Sequence, residues 1–112
     1  MIMRILALFL FTAAFDHAFA QDSLRVQLYG SVLHAISGTP IHEALVEWYD
    51  GNGKRQAVTQ TNSEGHYALF VSSGQPIELR VKENGYEPFV GSVPPFEPGE
   101  SARELDLRLV PE

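Results

Sequence analysis

The sequence predicts an all-β domain built as a seven-stranded antiparallel sandwich, and three observations carry that expectation. Beyond residue 21, apolar and polar residues alternate with period two in segment after segment, the spacing that sends successive side chains to opposite faces of a sheet. Clusters of Gly, Pro, Asn, Asp and Ser punctuate these segments at short, regular intervals. No stretch beyond residue 21 holds helical spacing over three turns.

In the first strand Leu24, Val26, Leu28 and Val32 alternate with Arg25, Gln27, Tyr29 and Ser31. Gly30 falls on the apolar side, where a residue without a side chain lets a neighbouring backbone come close. Ser37-Gly38-Thr39-Pro40 is a turn. Ala44, Val46 and Trp48 against Leu45, Glu47 and Tyr49 make the second strand. Asp50-Gly51-Asn52-Gly53-Lys54 supplies the positive φ values of a hairpin and leads into a short third strand near Gln56 to Gln60.

Thr61-Asn62-Ser63-Glu64-Gly65 turns the chain again, and Tyr67, Leu69 and Val71 form one face of the fourth strand. Ile77, Leu79 and Val81 alternate with Glu78, Arg80 and Lys82 in the fifth. Asn84-Gly85 leads to a sixth strand between Glu87 and Val93. The segment from Val93 to Gly99 carries three prolines, which cannot donate to a ladder, so it reads as an extended loop. Leu105, Leu107 and Leu109 against Glu104, Asp106 and Arg108 give the last strand.

Residues 1–20 read as an address. Arg4, an apolar run from Ile5 to Phe15 and the small-x-small end Ala18-Phe19-Ala20 are the parts of a secretory signal peptide, with cleavage expected after Ala20. Asp16 and His17 interrupt the run well short of the roughly 20 apolar residues that a spanning helix needs. Residues 21–112 are then one domain, secreted or periplasmic and not membrane-spanning, long enough to bury about two-thirds of its unfolded surface. The 112-residue chain has no Cys, which excludes disulfides, a thiolate zinc site, a cysteine nucleophile and a lipidated cysteine anchor. Its formal charge of −6 argues against nucleic acid as a partner.

The turns carry a further pattern. Gly30-Ser31-Val32 is followed by Gly38-Thr39-Pro40-Ile41 with Ala44 and Val46, then by Thr61-Asn62 with Gly65, Tyr67 and Leu69. Leu79 and Val81 then precede Gly85-Tyr86-Glu87-Pro88. In order and spacing, from Leu28 to Leu109, this resembles the carboxypeptidase regulatory-like domains of the prealbumin-like (transthyretin-like) superfamily. The resemblance implies an immunoglobulin-like sandwich that serves as a folding aid, spacer or interaction module. Gly30, Gly38, Pro40, Asn62, Gly65, Gly85, Tyr86 and Pro88 are the turn positions it marks as fold-defining. Two positions depart from the family pattern: Glu43 stands where Gly is usual, implying a different local backbone or an exposed carboxylate, and Asn62 stands where Asp is usual.

Candidate chemistry is sparse. His34, His42 and His66 lack any i, i+2 or i, i+4 spacing on one element, so neither a metal site nor a cofactor is expected. Ser72, Ser73 and Ser101 lack a G-x-S-x-G context. A hydrolase of the prealbumin-like group ends in Tyr-Arg-Gly-Ser, whereas this chain ends Leu109-Val110-Pro111-Glu112. Outward aromatics are the stronger signal: Tyr49, Phe70, Phe89 and Phe96 are expected to form an exposed apolar patch. The expected partner is another envelope or extracellular protein and no enzymatic role is expected; the alternatives are a starch-binding-like module that stacks a glycan on the aromatics and, behind it, a small prealbumin-like hydrolase.

Overall fold

The computed structural model describes residues 25–112, and the expected signal peptide lies outside them. Eight strands follow in order: β1 (Arg25–His34), β2 (Leu45–Tyr49), β3 (Arg55–Gln60), β4 (His66–Ser72), β5 (Ile77–Lys82), β6 (Phe89–Val93), β7 (Ala102–Glu104) and β8 (Leu107–Leu109). They form two sheets. In the first, β1 lies between β4 on one side and both β7 and β8 on the other. The second has the order β3-β2-β5-β6. Buried residues from both sheets meet in one core: Val26, Leu28 and Val32 from β1, Tyr67, Leu69 and Val71 from β4, Val46 and Trp48 from β2, and Leu79 and Val81 from β5. The period-two alternation of the sequence is the burial alternation of these strands. No helix among the described residues is long and apolar enough to cross a membrane.

Two expectations are corrected. The last strand starts earlier than expected, at Ala102, and breaks at Leu105–Asp106 into β7 and β8, giving eight strands rather than seven, and the sandwich is not wholly antiparallel. Residues Gln27–Tyr29 pair in parallel with β7, and Val32–His34 pair in parallel with β8. The chain leaves β6 in the second sheet, crosses through the proline loop and re-enters beside β1 running in the same direction, as a crossover connection does. Between β7 and β8 the backbone rides over Gly30. Leu105 N–H donates to Tyr29 O at 2.8 Å, and Ser31 N–H donates to the Asp106 carboxylate at 2.9 Å. A side chain thus takes one rung of the ladder, and the leucine alternation continues through the break. A Cβ on Gly30 would lie 2.3 Å from the Leu105 carbonyl oxygen, so the glycine is required by the close approach.

The Tyr67 hydroxyl donates to that same Leu105 oxygen at 2.6 Å. Burial pushes this phenol far above its ordinary range, and the nearby Asp106 charge adds to the effect. Arg103 clasps the proline loop, donating to Pro94 O at 2.8 Å and Pro95 O at 3.1 Å while gripping the Glu100 carboxylate.

The turn from Gly38 to Ala44 is pinned by Thr61. Its hydroxyl donates to Ile41 O at 2.6 Å and accepts from Ala44 N–H at 2.9 Å, both buried. Asn62 closes the following turn by accepting from the amides of Glu64 and His66, each at 3.0 Å. Gly65 takes φ 78° there and sits against Pro40, so its conformation and its lack of a side chain are both used. Glu43 adopts φ 65°, a backbone that favours glycine, while its side chain is exposed. The departure at Glu43 is therefore an exposed carboxylate on a glycine-type backbone. Gly38 and Gly85 have positive φ in their turns. Tyr86, just before Pro88, packs edge-on against the His34 ring at 5.7 Å.

Candidate functional site

The four predicted aromatics do not share one patch. Phe70 lies on the outer face of the first sheet, 52% exposed, with the Arg25 guanidinium 4.6 Å above its ring. Tyr49 lies on the outer face of the second sheet beneath Arg80, which stacks at 3.8 Å. Phe96 sits in the proline loop under Arg103 at 4.5 Å. Phe89 is partly buried against the core and lines a small cleft of about 310 Å³ with Leu79, Leu105 and Leu107. Strand parity places residues inside or outside but does not say which sheet they belong to, and that is why these four separate. Trp48 is core, and its ring N–H donates across to Phe70 O at 3.0 Å, tying the two sheets together.

A larger feature lies at one end of the sandwich. The loops after β2, β4 and β6 enclose a groove of about 780 Å³, walled by Pro76, Ile77, Val93, Pro94, Pro95 and Phe96. Glu78 and Arg80 stand at its rim, joined by an Nε–carboxylate bond of 2.6 Å. That bond raises the Arg80 pKa further above its ordinary value, while the little burial there acts the other way. A concave, largely apolar site with a few polar groups converging on it is the usual form of a ligand pocket.

From this rim the outer face of the second sheet extends over β2, β3, β5 and β6. At its centre Glu47 has a side chain only 5% exposed, although alternation turns it away from the core. Arg55 donates to its Oε2 at 3.2 Å, Tyr49 OH donates to the same oxygen at 3.2 Å, and Lys82 Nζ lies 3.7 Å from Oε1. Burial pushes the carboxyl up, but the bonds from Arg55 and Tyr49 and the charges of Lys82 and Arg55 outweigh it, leaving Glu47 below the usual glutamate range. Its contribution to stability is thus fully present above the unfolded value, near 4.3, and is lost as pH falls through the lower folded value. Glu47→Gln should flatten the acid limb of a stability–pH profile measured by urea unfolding. An unchanged limb would mean that the network carries no stability.

Sequence reasoning missed Glu47, Arg55, Arg80 and Lys82 as a group. The alternation marked Glu47, Arg80 and Lys82 as outward, but only the register that sets Glu47 opposite Arg80 and Leu45 opposite Lys82 brings them together. Among the described residues no group of three or more His, Cys, Asp or Glu converges as a metal-ligand set. His34 Nδ1 accepts from the amides of Ile36 and Ser37 in a turn, while His42 and His66 lie beside Glu43 and Glu64 on the surface.

The model of one family, the carboxypeptidase regulatory-like domain, matches residues 27–110, three-quarters of the chain and all eight strands but the first two residues of β1. The chain belongs to that family. No curated protein sequence matches it. Among solved structures this regulatory-like domain is similar to a catechol 1,2-dioxygenase from Acinetobacter radioresistens, with 11% identity and a TM-score of 0.64 over 83% of this chain and 54% of that one. A hydroxyquinol 1,2-dioxygenase from Pseudomonas putida gives 12% identity and a TM-score of 0.62 over 80% and 57%. The Bacillus anthracis TIE protein gives 15% and 0.60 over 79% of this chain but 17% of that one. At these identities the likeness is one of fold alone. The regulatory-like domain spans little more than half of either dioxygenase.

Proposed function

We propose that this regulatory-like domain is an exported, non-enzymatic, prealbumin-like module that works by contact with another envelope or extracellular protein. The observation that carries the reading is the composition of its outer faces. Leu45, Val58 and Val90 on one sheet and Tyr29 and Phe70 on the other are exposed large hydrophobics. Three rings, Tyr49, Phe70 and Phe96, each carry a guanidinium over one face. Tyr and Arg beside apolar side chains are the residue types that dominate protein–protein hot spots. A ring face already stacked under Arg is a poor platform for a sugar, which weighs against the glycan alternative. Export rests on the address at residues 1–20.

The test is affinity capture of the full chain from the exporting cell, run beside retention on insoluble glycans. A specific envelope or extracellular protein should co-purify, and a polysaccharide should leave the chain's mobility unchanged. Glycan retention without a protein partner would overturn the reading.

A further inference from the structure

The Glu47 face and the groove beside it carry an inference that rests on the protein-contact reading. Three of the seven Lys and Arg side chains of the described residues, Arg55, Arg80 and Lys82, project from this one face, against only Glu47 and Glu78 of their twelve Asp and Glu residues. The groove adds Asp50, bound to the amides of its own loop, and Glu43 and Glu83 lie beside Lys82, but Glu47 is almost buried, so Arg55 and Lys82 are the exposed partners of its ion pairs. These cations are also held in place before anything binds. Glu47 anchors Arg55 and Lys82 from below, and Arg80 is fixed between Glu78 and the Tyr49 ring. Arg55 and Lys82 nonetheless remain more than half exposed, so donors stay free to face outward. Side chains immobilised in advance lose less entropy when a partner arrives.

Apolar surface surrounds the charges. Val58 is 46% exposed on β3 and Val90 60% exposed on β6, with Leu45 between them on β2. At Glu78 and Arg80 the face opens directly into the 780 Å³ groove, where Pro76, Ile77, Val93 and Phe96 supply apolar walls beside the polar Asp50, Gln75 and Ser92, with room for a short run of residues rather than a single side chain. We infer that this face and groove together dock an acidic polypeptide of a partner protein, its carboxylates over Arg55, Arg80 and Lys82 and a short run with apolar side chains in the groove. Opposite charge sets the orientation and encounter rate, and the apolar contacts supply residence time.

The probe is a short synthetic peptide alternating Glu with Val and Phe, titrated into the isotope-labelled full chain and read by amide chemical shifts. Its controls are the matching Lys peptide and a Glu/Ser peptide. The Glu/Val/Phe peptide should shift amides in β2, β3, β5, β6 and the groove loops, and added salt should weaken it. Arg80→Gln with Lys82→Gln should lower affinity about tenfold or more, as the loss of two exposed charge contacts would. Val90→Ser, a change at an exposed site that leaves the ion network intact, should weaken binding severalfold, and Phe70→Ser on the opposite sheet should not.

No binding up to about 1 mM, the weak end of specific association, would overturn the inference. So would equal binding of the Lys peptide, shifts confined to the Tyr29 and Phe70 face, or a Glu/Ser peptide binding as tightly, which marks a plain polyanion site. A photo-crosslinking residue at Val58 and another at Phe70, each in the full chain in the exporting cell, separate the two readings. Protein adducts from Phe70 alone sink this face and leave protein contact standing, whereas none from either position sinks both.

Discussion

Gly30→Ala should destabilise the domain by about 3 kcal/mol, the upper range for forcing an extra carbon into a packed interior. The added carbon would meet the Leu105 carbonyl oxygen at 2.3 Å and its carbon at 2.8 Å, and neither is the end of a side chain that could swing away. Relief requires the segment between β7 and β8 to lift from β1. Lifting it breaks the Leu105 bond to Tyr29, the Asp106 bond to Ser31 and the Tyr67 hydroxyl bond together. Equilibrium denaturation of Gly30→Ala beside Gly38→Ala separates crowding from backbone strain. Gly38 has φ 75° but open space around its Cβ position, so its variant should lose only about 1 kcal/mol. A Gly30→Ala loss no larger than that would show that the carbonyl yields at little cost.

Thr61→Val should cost about 2–3 kcal/mol although it preserves shape almost completely. The hydroxyl serves Ile41 O and Ala44 N–H at once in a buried site, and valine would leave both without that partner. Thr61→Ser, which keeps the hydroxyl and removes a methyl, should recover most of the loss. Hydrogen exchange at the Ala44 amide should accelerate in the valine variant and stay slow in the serine one. Equal stability of the valine and serine variants would place the role of Thr61 in its methyl packing.

Most of the sandwich is legible from alternation because the core is built from it. Val26, Leu28, Tyr67, Leu69, Leu79 and Val81 are buried at the positions where period two puts them. The break at Leu105–Asp106 is not legible, since Leu105, Leu107 and Leu109 keep their spacing while an aspartate side chain replaces a backbone rung. Nor is the parallel pairing of β7 and β8, because direction depends on where the chain crosses between sheets. Glu43 looks like a departure from the family pattern, yet it adopts φ 65°, a backbone that favours glycine. The candidate surface was legible only in pieces. Glu47, Arg80 and Lys82 read as ordinary solvated charges until strand register places them around one carboxylate, and Phe96 belongs to a loop to which periodicity assigns no face.

The position of β1 governs when folding can finish. It is the earliest strand in the chain, yet its full pairing waits for β7 and β8, with Gln27 joined to Ala102 and His34 to Leu109. Such long-range closure gives a high contact order and folding in about milliseconds to seconds rather than microseconds. The core strand cannot be capped until the last rungs have been synthesised. Until then the edge of β1 that β7 and β8 cover is an open row of N–H and C=O groups, able to pair with another strand.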